Sequence, residues 1–152
     1  MPRKFDFEIR KATKDDIFLM IELLGELFDI EKDFAFDFHK HKIGLEMLLD
    51  SPNASIFVAT VDSKVVAMTS VQTVISSAMG SNVGLIEDVV VKKEYRGKQV
   101  AKKLISYIFE YSKTKEFSRL HLLCDIDNAP AEKFYDKMGF KPSELKAWYY
   151  FL

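Results

Sequence analysis

Residues 89–101 read VVVKKEYRGKQVA. Three β-branched valines favour an extended strand. A charged turn follows, then the compact run Arg96-Gly97-Lys98-Gln99. From Val100 to Lys113 the apolar residues Leu104, Ile105, Ile108 and Phe109 recur at helical spacing. The order is therefore strand, short loop, helix. The first turn of a helix has amide groups with no partner inside the helix, and it lies at the positive end of the helix dipole. Such a turn is a ready anion site. Gly97 lets the main chain approach a ligand closely. Lys92, Lys93, Arg96, Lys98, Lys102 and Lys103 ring the turn with positive charge, opposed by Glu94. A phosphate-bearing molecule is expected to dock here.

Working outward, the totals narrow the ligand. With 152 residues, a 48% hydrophobic content and 30% charged residues, the chain reads as one globular domain, 1–152. The net charge of −1 gives no global nucleic-acid footprint. The basic cluster is local and suits a small anionic ligand better than a polymer. Cys124 is the one cysteine, so neither an internal disulfide nor a multi-cysteine zinc site forms. Its place after Leu122 and Leu123 reads as an inert buried thiol rather than an acyl carrier. No apolar run is long enough to span a membrane, and the first ten residues lack the apolar centre of a signal peptide. The expected location is cytoplasmic, with no membrane partner.

Upstream, 85–91 is a β-rich run preceded by a loop at 80–84. Residues 55–61 and 65–75 read as two strands joined by the turn 62–64. A helix at 39–49 is stopped by Ser51-Pro52-Asn53. Thr13 and Asp16 form a variant capping box before a helix carrying Ile17, Met20, Ile21, Leu24, Leu27 and Phe28. A first strand is expected at 5–11. Downstream come a short strand at 120–124 and a helix at 128–138, with Pro130 in its first turn and Gly139 as its left-handed stop. An aromatic-rich final strand is expected at 145–152. Antiparallel strands followed by a β-α-β-α-β ending predict an α/β (α+β) fold with helices on both faces of one sheet.

The stretch Ile86-Glu87-Asp88-Val89-Val90-Val91 together with Arg96-Gly97-Lys98-Gln99-Val100-Ala101 resembles the acyl-CoA signature of the GNAT superfamily of N-acetyltransferases. A second block, Asn128, Ala131, Phe134-Tyr135 and Met138-Gly139-Phe140, resembles that family's closing motif. The first stretch is also similar to glucosamine-6-phosphate N-acetyltransferases. The resemblance implies a mixed, mostly antiparallel sheet of six to seven strands with about four helices. It also implies acetyl-CoA as cosubstrate and no metal. By the same resemblance Val89, Val90 and Val91 offer main-chain groups to the pantetheine arm. Arg96 heads the loop, and Gly97, Lys98, Gln99, Val100, Ala101 and Lys102 present amides to the diphosphate. Asn128 caps the last helix and, by resemblance, contacts the pantetheine. The sequence departs from the family pattern at Gln99, which stands where a glycine is usual. A side chain there crowds the diphosphate only if its φ is positive. A helix N-terminus ordinarily has negative φ, so Gln99 is expected to offer its amide.

Tyr135 is the candidate general acid for the departing thiolate; its alternative is packing beside Phe134 in an aromatic core. Glu87 and Asp88 alternate on a strand and so point to opposite faces, leaving one to act as base. Glu87 is the candidate, with a buried acid–lysine pair as the alternative. By resemblance the first two helices and their connection line the acceptor site. There Phe28, Glu31, Asp33 and Phe34 offer charge and cation–π contacts to a cationic amine. The alternative is phenylalanines in the core and acids merely exposed. His39 and His41 lie two apart on a helix, do not share a face, and read as solvated. The loop 76–84 carries no Lys or Arg of the kind a phosphosugar wants.

The resulting expectation is an N-acetyltransferase that moves acetyl from acetyl-CoA to a primary amine of a small molecule in a ternary complex. Alternatives are glucosamine 6-phosphate, a protein N-terminus or lysine as acceptor, or a non-catalytic acyl-CoA-binding module. A nucleotide-binding protein is disfavoured by the lack of a G-x-x-x-x-G-K-S/T loop. Trp148, Tyr149, Tyr150 and Phe151 form either a homodimer edge or the last core strand.

Overall fold

The computed structural model describes residues 6–152; Phe5, at the head of the expected first strand, lies outside them. The chain forms two compact units, Met1–His121 and Leu122–Leu152. Its elements run β1 (Glu8–Lys11), α1 (Ile17–Ile30), α2 (Phe38–Asp50), β2 (Ala54–Val61), β3 (Lys64–Ser76), β4 (Ser81–Val91), α3 (Val100–Thr114), β5 (Leu120–Leu122) and α4 (Ala129–Lys137). The strands form one sheet in the order β1-β2-β3-β4-β5. The pairings from β1 through β4 are all antiparallel.

Among the described residues the sheet therefore has five strands, not six to seven. Residues 145–152, expected as a final strand, take no regular structure. Leu145 is 89% and Trp148 91% exposed. Aromatic composition marks a segment as strand-prone, but a strand exists only where an edge pairs with it. β5 is also shorter than expected. It stops at Leu122, leaving Cys124 beyond the strand and half-buried rather than buried. The loop expected at 80–84 moves upstream, because β3 and β4 pair as far as Ser76 and Ser81. Gly84 punctuates nothing; it makes room. A Cβ there would stand 2.6 Å from the Leu120 side chain, 3.0 Å from Val71 and 3.1 Å from Phe117.

Local chemistry accounts for the remaining elements of the first unit. The Asp16 carboxylate accepts the Thr13 amide at 2.8 Å. It also takes both ends of the Arg10 guanidinium, at 2.7 and 2.9 Å, which ties the start of α1 to β1. That bond, more than any other influence, holds the Asp16 carboxyl below the usual range. α1 buries Ile17, Met20, Ile21, Leu23, Leu24 and Leu27 against Ile56, Val58, Met68 and Val90. Phe57, between the two β2 core residues, turns to the other face, where its ring meets Tyr107 and Tyr111 of α3 at 5.1 and 4.9 Å. Helices thus cover both faces, as expected. The β2–β3 hairpin turns on Asp62 and Ser63, both with positive φ, as a two-residue turn requires.

In the second unit Asn128 caps α4, its side-chain oxygen accepting the Ala131 amide at 3.2 Å. Gly139, with φ of 98°, ends the helix. The Tyr135 ring lies edge-on to Phe134 and Phe140, at 5.2 and 5.7 Å.

Candidate active site

The centre of the site is an irregularity in β4. Met68 pairs with Val90 and Ser70 with Glu87, so Asp88 and Val89 together face Thr69. This is a β-bulge, with Asp88 at a φ of 56°. The hydroxyls of Thr69 and Ser70 donate to the Glu87 carbonyl at 3.2 and 3.3 Å, fixing the bulge from β3.

The bulge overturns the alternation expected of Glu87 and Asp88. Instead of pointing to opposite faces, both carboxylates line one cavity of about 430 Å³, together with Phe28 of α1, His41 of α2 and Gln72 of β3. Burial, then the charge of Glu87, then that of Glu31, push Asp88 from its ordinary 3.8 up to about 7. Burial also raises Glu87, the more exposed of the two. Among the described residues neither carboxylate is held in an ion pair.

The connection between α1 and α2 forms an aromatic wall. The Phe28 ring is 4.9 Å from His41 and 6.1 Å from Phe34, and Phe36 lies 5.1 Å from His41. Asp37 caps α2, its Oδ1 accepting the Lys40 amide at 3.0 Å. The Asp37 amide in turn donates to His41 Nε2 at 2.8 Å. With Nε2 accepting, the neutral ring carries its proton on Nδ1. Burial lowers the His41 pKa and keeps the ring neutral. His41 is therefore part of the wall, not solvated, whereas His39 remains exposed. The two sit on different helix faces, and α2 turns one of those faces inward.

Of the four residues expected at the acceptor, Phe28 lines the cavity. Phe34 packs on it while 43% exposed. Glu31, at the end of α1, acts on Asp88 through its charge. Asp33 is exposed in the connecting loop and does not line the cavity.

Beyond the bulge, β4 leads into the basic loop. Val90 is buried in the core, and the Lys92 amide still pairs with the Val66 carbonyl at 2.8 Å. Arg96 does not reach outward. Its Nε donates to the Val91 carbonyl at 3.0 Å, and its guanidinium lies 3.9 Å from Glu26, whose carboxylate also accepts the Lys93 amide at 3.1 Å. The side chain braces the loop onto β4 and α1.

Gly97 has a φ of 75°, and a Cβ there would meet nothing within 4 Å. It is glycine for its conformation, and the space beside it is open. Gln99, expected at negative φ, is instead left-handed, with φ 65° and ψ 18°. The chain needs a second left-handed residue to turn from the loop into α3, and a non-glycine residue there costs about 1–2 kcal/mol. The Lys103 amide bonds to the Gln99 carbonyl at 3.2 Å, so the amides of Val100, Ala101 and Lys102 precede the intrahelical ladder. Val100 is buried and pins the helix start, while Lys102 is exposed. The positive φ of Gln99 is the condition under which its side chain crowds a diphosphate. What suits the turn to one is the open space at Gly97, the unladdered amides from Val100 to Lys102 and the flanking lysines.

A model of the acetyltransferase (GNAT) family matches residues 22–140. A Bacillus subtilis (strain 168) protein named "Putative ribosomal protein bS18-alanine N-acetyltransferase" is 27% identical over 133 residues, which is 87% of this chain and 83% of that protein. Among solved structures, one described as a possible acetyltransferase from Clostridium difficile 630 has a TM-score of 0.85 and 25% identity, covering 96% of this chain and 97% of that one. Glucosamine-6-phosphate N-acetyltransferase from Arabidopsis thaliana has a TM-score of 0.77 and 27% identity, covering 96% and 99%.

Proposed function

Because the chain belongs to the acetyltransferase (GNAT) family, we propose that it moves the acetyl group of acetyl-CoA to a primary amine of a small molecule, by direct attack in a ternary complex. The chain works as one catalytic domain. The observation that carries this reading is Asp88. Its carboxyl, at about 7, sits in an aromatic-walled cavity on the strand that runs straight into the anion-binding loop.

An alkylammonium has a pKa near 10.4, so about one molecule in 10³ is neutral at pH 7. A base with a pKa close to the working pH is well matched to remove that proton. Asp88, the more buried of the two, takes this role in place of Glu87, the base expected from the sequence, and Glu87 binds the acceptor beside it. The freed lone pair attacks the thioester carbonyl carbon, a C–N bond forms, and the C–S bond breaks. Tyr135 gives its proton to the departing thiolate and recovers one as the acylated nitrogen sheds its second proton. A free thiol has a pKa of about 8.5, so the leaving group needs only modest help. The amides from Gly97 to Lys102 hold the diphosphate. The main chain at Val89 and Val91 holds the pantetheine arm, with Val90 anchoring the strand in the core, and Asn128 adds a contact to the same arm. These coenzyme roles rest on the motif resemblance.

Acceptor size and charge favour a small amine. The cavity is walled by two helices and carries two acids, and Lys40 is the one cation lining it among the described residues. That charge balance argues against glucosamine 6-phosphate, the acceptor in the Arabidopsis relative's name.

The test is thiol release from acetyl-CoA across amino sugars, polyamines, amino acids and peptides. Acetyl transfer to at least one amine, with intersecting initial-velocity lines, is the expected result. Acetyl-CoA binding with no release on any amine would make the chain a non-catalytic module and sink the reading.

A further inference from the structure

We infer that the acceptor is a diamine or longer polyamine, with one nitrogen reacting beside Asp88 and a second ammonium held by Glu87 against the aromatic wall. This rests on the reading of the cavity as the acceptor site.

The bulge turns two neighbouring carboxylates into one cavity, and among the described residues neither has an ion-pair partner. Glu31 adds negative charge from the end of α1. The aromatic wall brings little compensating charge: His41 is neutral, with Nε2 committed to the Asp37 amide. Lys40, on the first turn of α2, also lines the cavity, but it is exposed and forms no ion pair with either acid. A monoamine that has given its proton to Asp88 is neutral, which leaves Glu87 unpaired in a partly desolvated place. A second ammonium on the same molecule removes that deficit throughout the reaction. It also lies within reach of the Phe28 ring that lines the cavity, where cation–π attraction adds to the hold. An anionic substituent in the same position would face like charges instead. One proton of the reacting ammonium passes to the Asp88 carboxylate, and the freed nitrogen attacks the thioester carbon. As the C–S bond breaks the thiolate takes the Tyr135 proton, the acylated nitrogen sheds its second proton to restore the phenol, Asp88 returns its proton to solvent, and the second ammonium keeps its charge throughout.

The experiment compares kcat/KM for 1,4-diaminobutane, spermidine, butylamine and glucosamine 6-phosphate, in the full chain and in Glu87→Gln. Glu87 is exposed and uses only its carbonyl to hold the bulge, so the variant should keep its far-UV circular dichroism and acetyl-CoA affinity. The diamine is expected to exceed butylamine about 10-fold or more, and Glu87→Gln to bring that ratio close to one. Butylamine or glucosamine 6-phosphate turning over as well as the diamine overturns the inference while leaving the acetyltransferase reading intact. A ratio that survives Glu87→Gln overturns the assignment of the second cation to Glu87. No release with any amine overturns both readings together.

Discussion

The basic loop and the aromatic-walled cavity, proposed above to hold coenzyme and acceptor, are built on opposite plans. The loop works through its main chain: a left-handed Gly97, a left-handed Gln99 and amides not yet in the α3 ladder, with Arg96 used as a brace. The cavity works through side chains from four elements, brought together by one extra residue in β4. A main-chain site tolerates change in its side chains provided the backbone path survives. A side-chain site changes chemistry with each residue. On the proposed assignment, binding of the common donor is tied to loop conformation, and choice of acceptor to the identity of a few cavity residues.

Substitutions can break this contrast. The largest effect is expected at Ala101, in the first turn of α3. Ala101→Trp fills the space the diphosphate approaches and should abolish acetyl-CoA binding by calorimetry. Retained affinity would show that the loop does not take the coenzyme through its main chain.

Asp88→Asn should lower kcat/KM by about 10²–10³-fold, within the range for a general base, with acetyl-CoA affinity preserved. The wild-type rate should rise with pH through about 7 as Asp88 loses its proton, and the variant should lose that inflection. The stability consequence has the opposite sign. Between 3.8 and about 7 the folded protein holds a proton at Asp88 that the unfolded chain has released. Raising the pH through that window therefore costs stability. Denaturant titrations should show Asp88→Asn to be less sensitive to pH there, and more stable than wild type above pH 7. An unchanged pH slope would contradict the burial assigned to this carboxyl.

Tyr135→Phe should cost roughly 10²-fold in kcat, the low end for acid catalysis of a good leaving group. A full rate would place Tyr135 in a packing role with Phe134 and Phe140. The smallest effect is expected at Gln99. Gln99→Gly removes the left-handed strain but adds unfolded-state entropy, for a net gain of about 0.5–1 kcal/mol in denaturant stability. Destabilisation would mean that the glutamine side chain earns its place through contacts.

The loop was legible because its signals are local. Valine run, glycine, lysines and helix periodicity lie within 25 residues and need no knowledge of what packs where. α1, α2 and α4 were legible for the same reason, through the apolar stripe of α1, the Ser51-Pro52-Asn53 stop after α2 and Asn128 as the cap of α4; the Asp37 cap of α2 was not read. The cavity was not. Nothing around Glu87-Asp88 announces a bulge, because the cause lies in the hydroxyls of Thr69 and Ser70 on the neighbouring strand. Without the bulge, period-two reasoning sends the carboxylates apart. His41 was misread for a related reason: its neighbours Phe28 and Phe36 lie outside its own helix. Gln99 was misread because a sequence shows that a helix begins, but not the backbone angle at which the chain enters it.

The chain has a single tryptophan, Trp148, and it lies 91% open to water in the C-terminal segment. Its emission should therefore resemble that of free indole in the native state and shift little when the core melts. Fluorescence, the usual optical probe of unfolding, would be nearly blind to denaturation of this molecule. The same indole would report with high contrast on anything that covers the tail, so a blue shift on raising the protein concentration alone would reveal self-association directly.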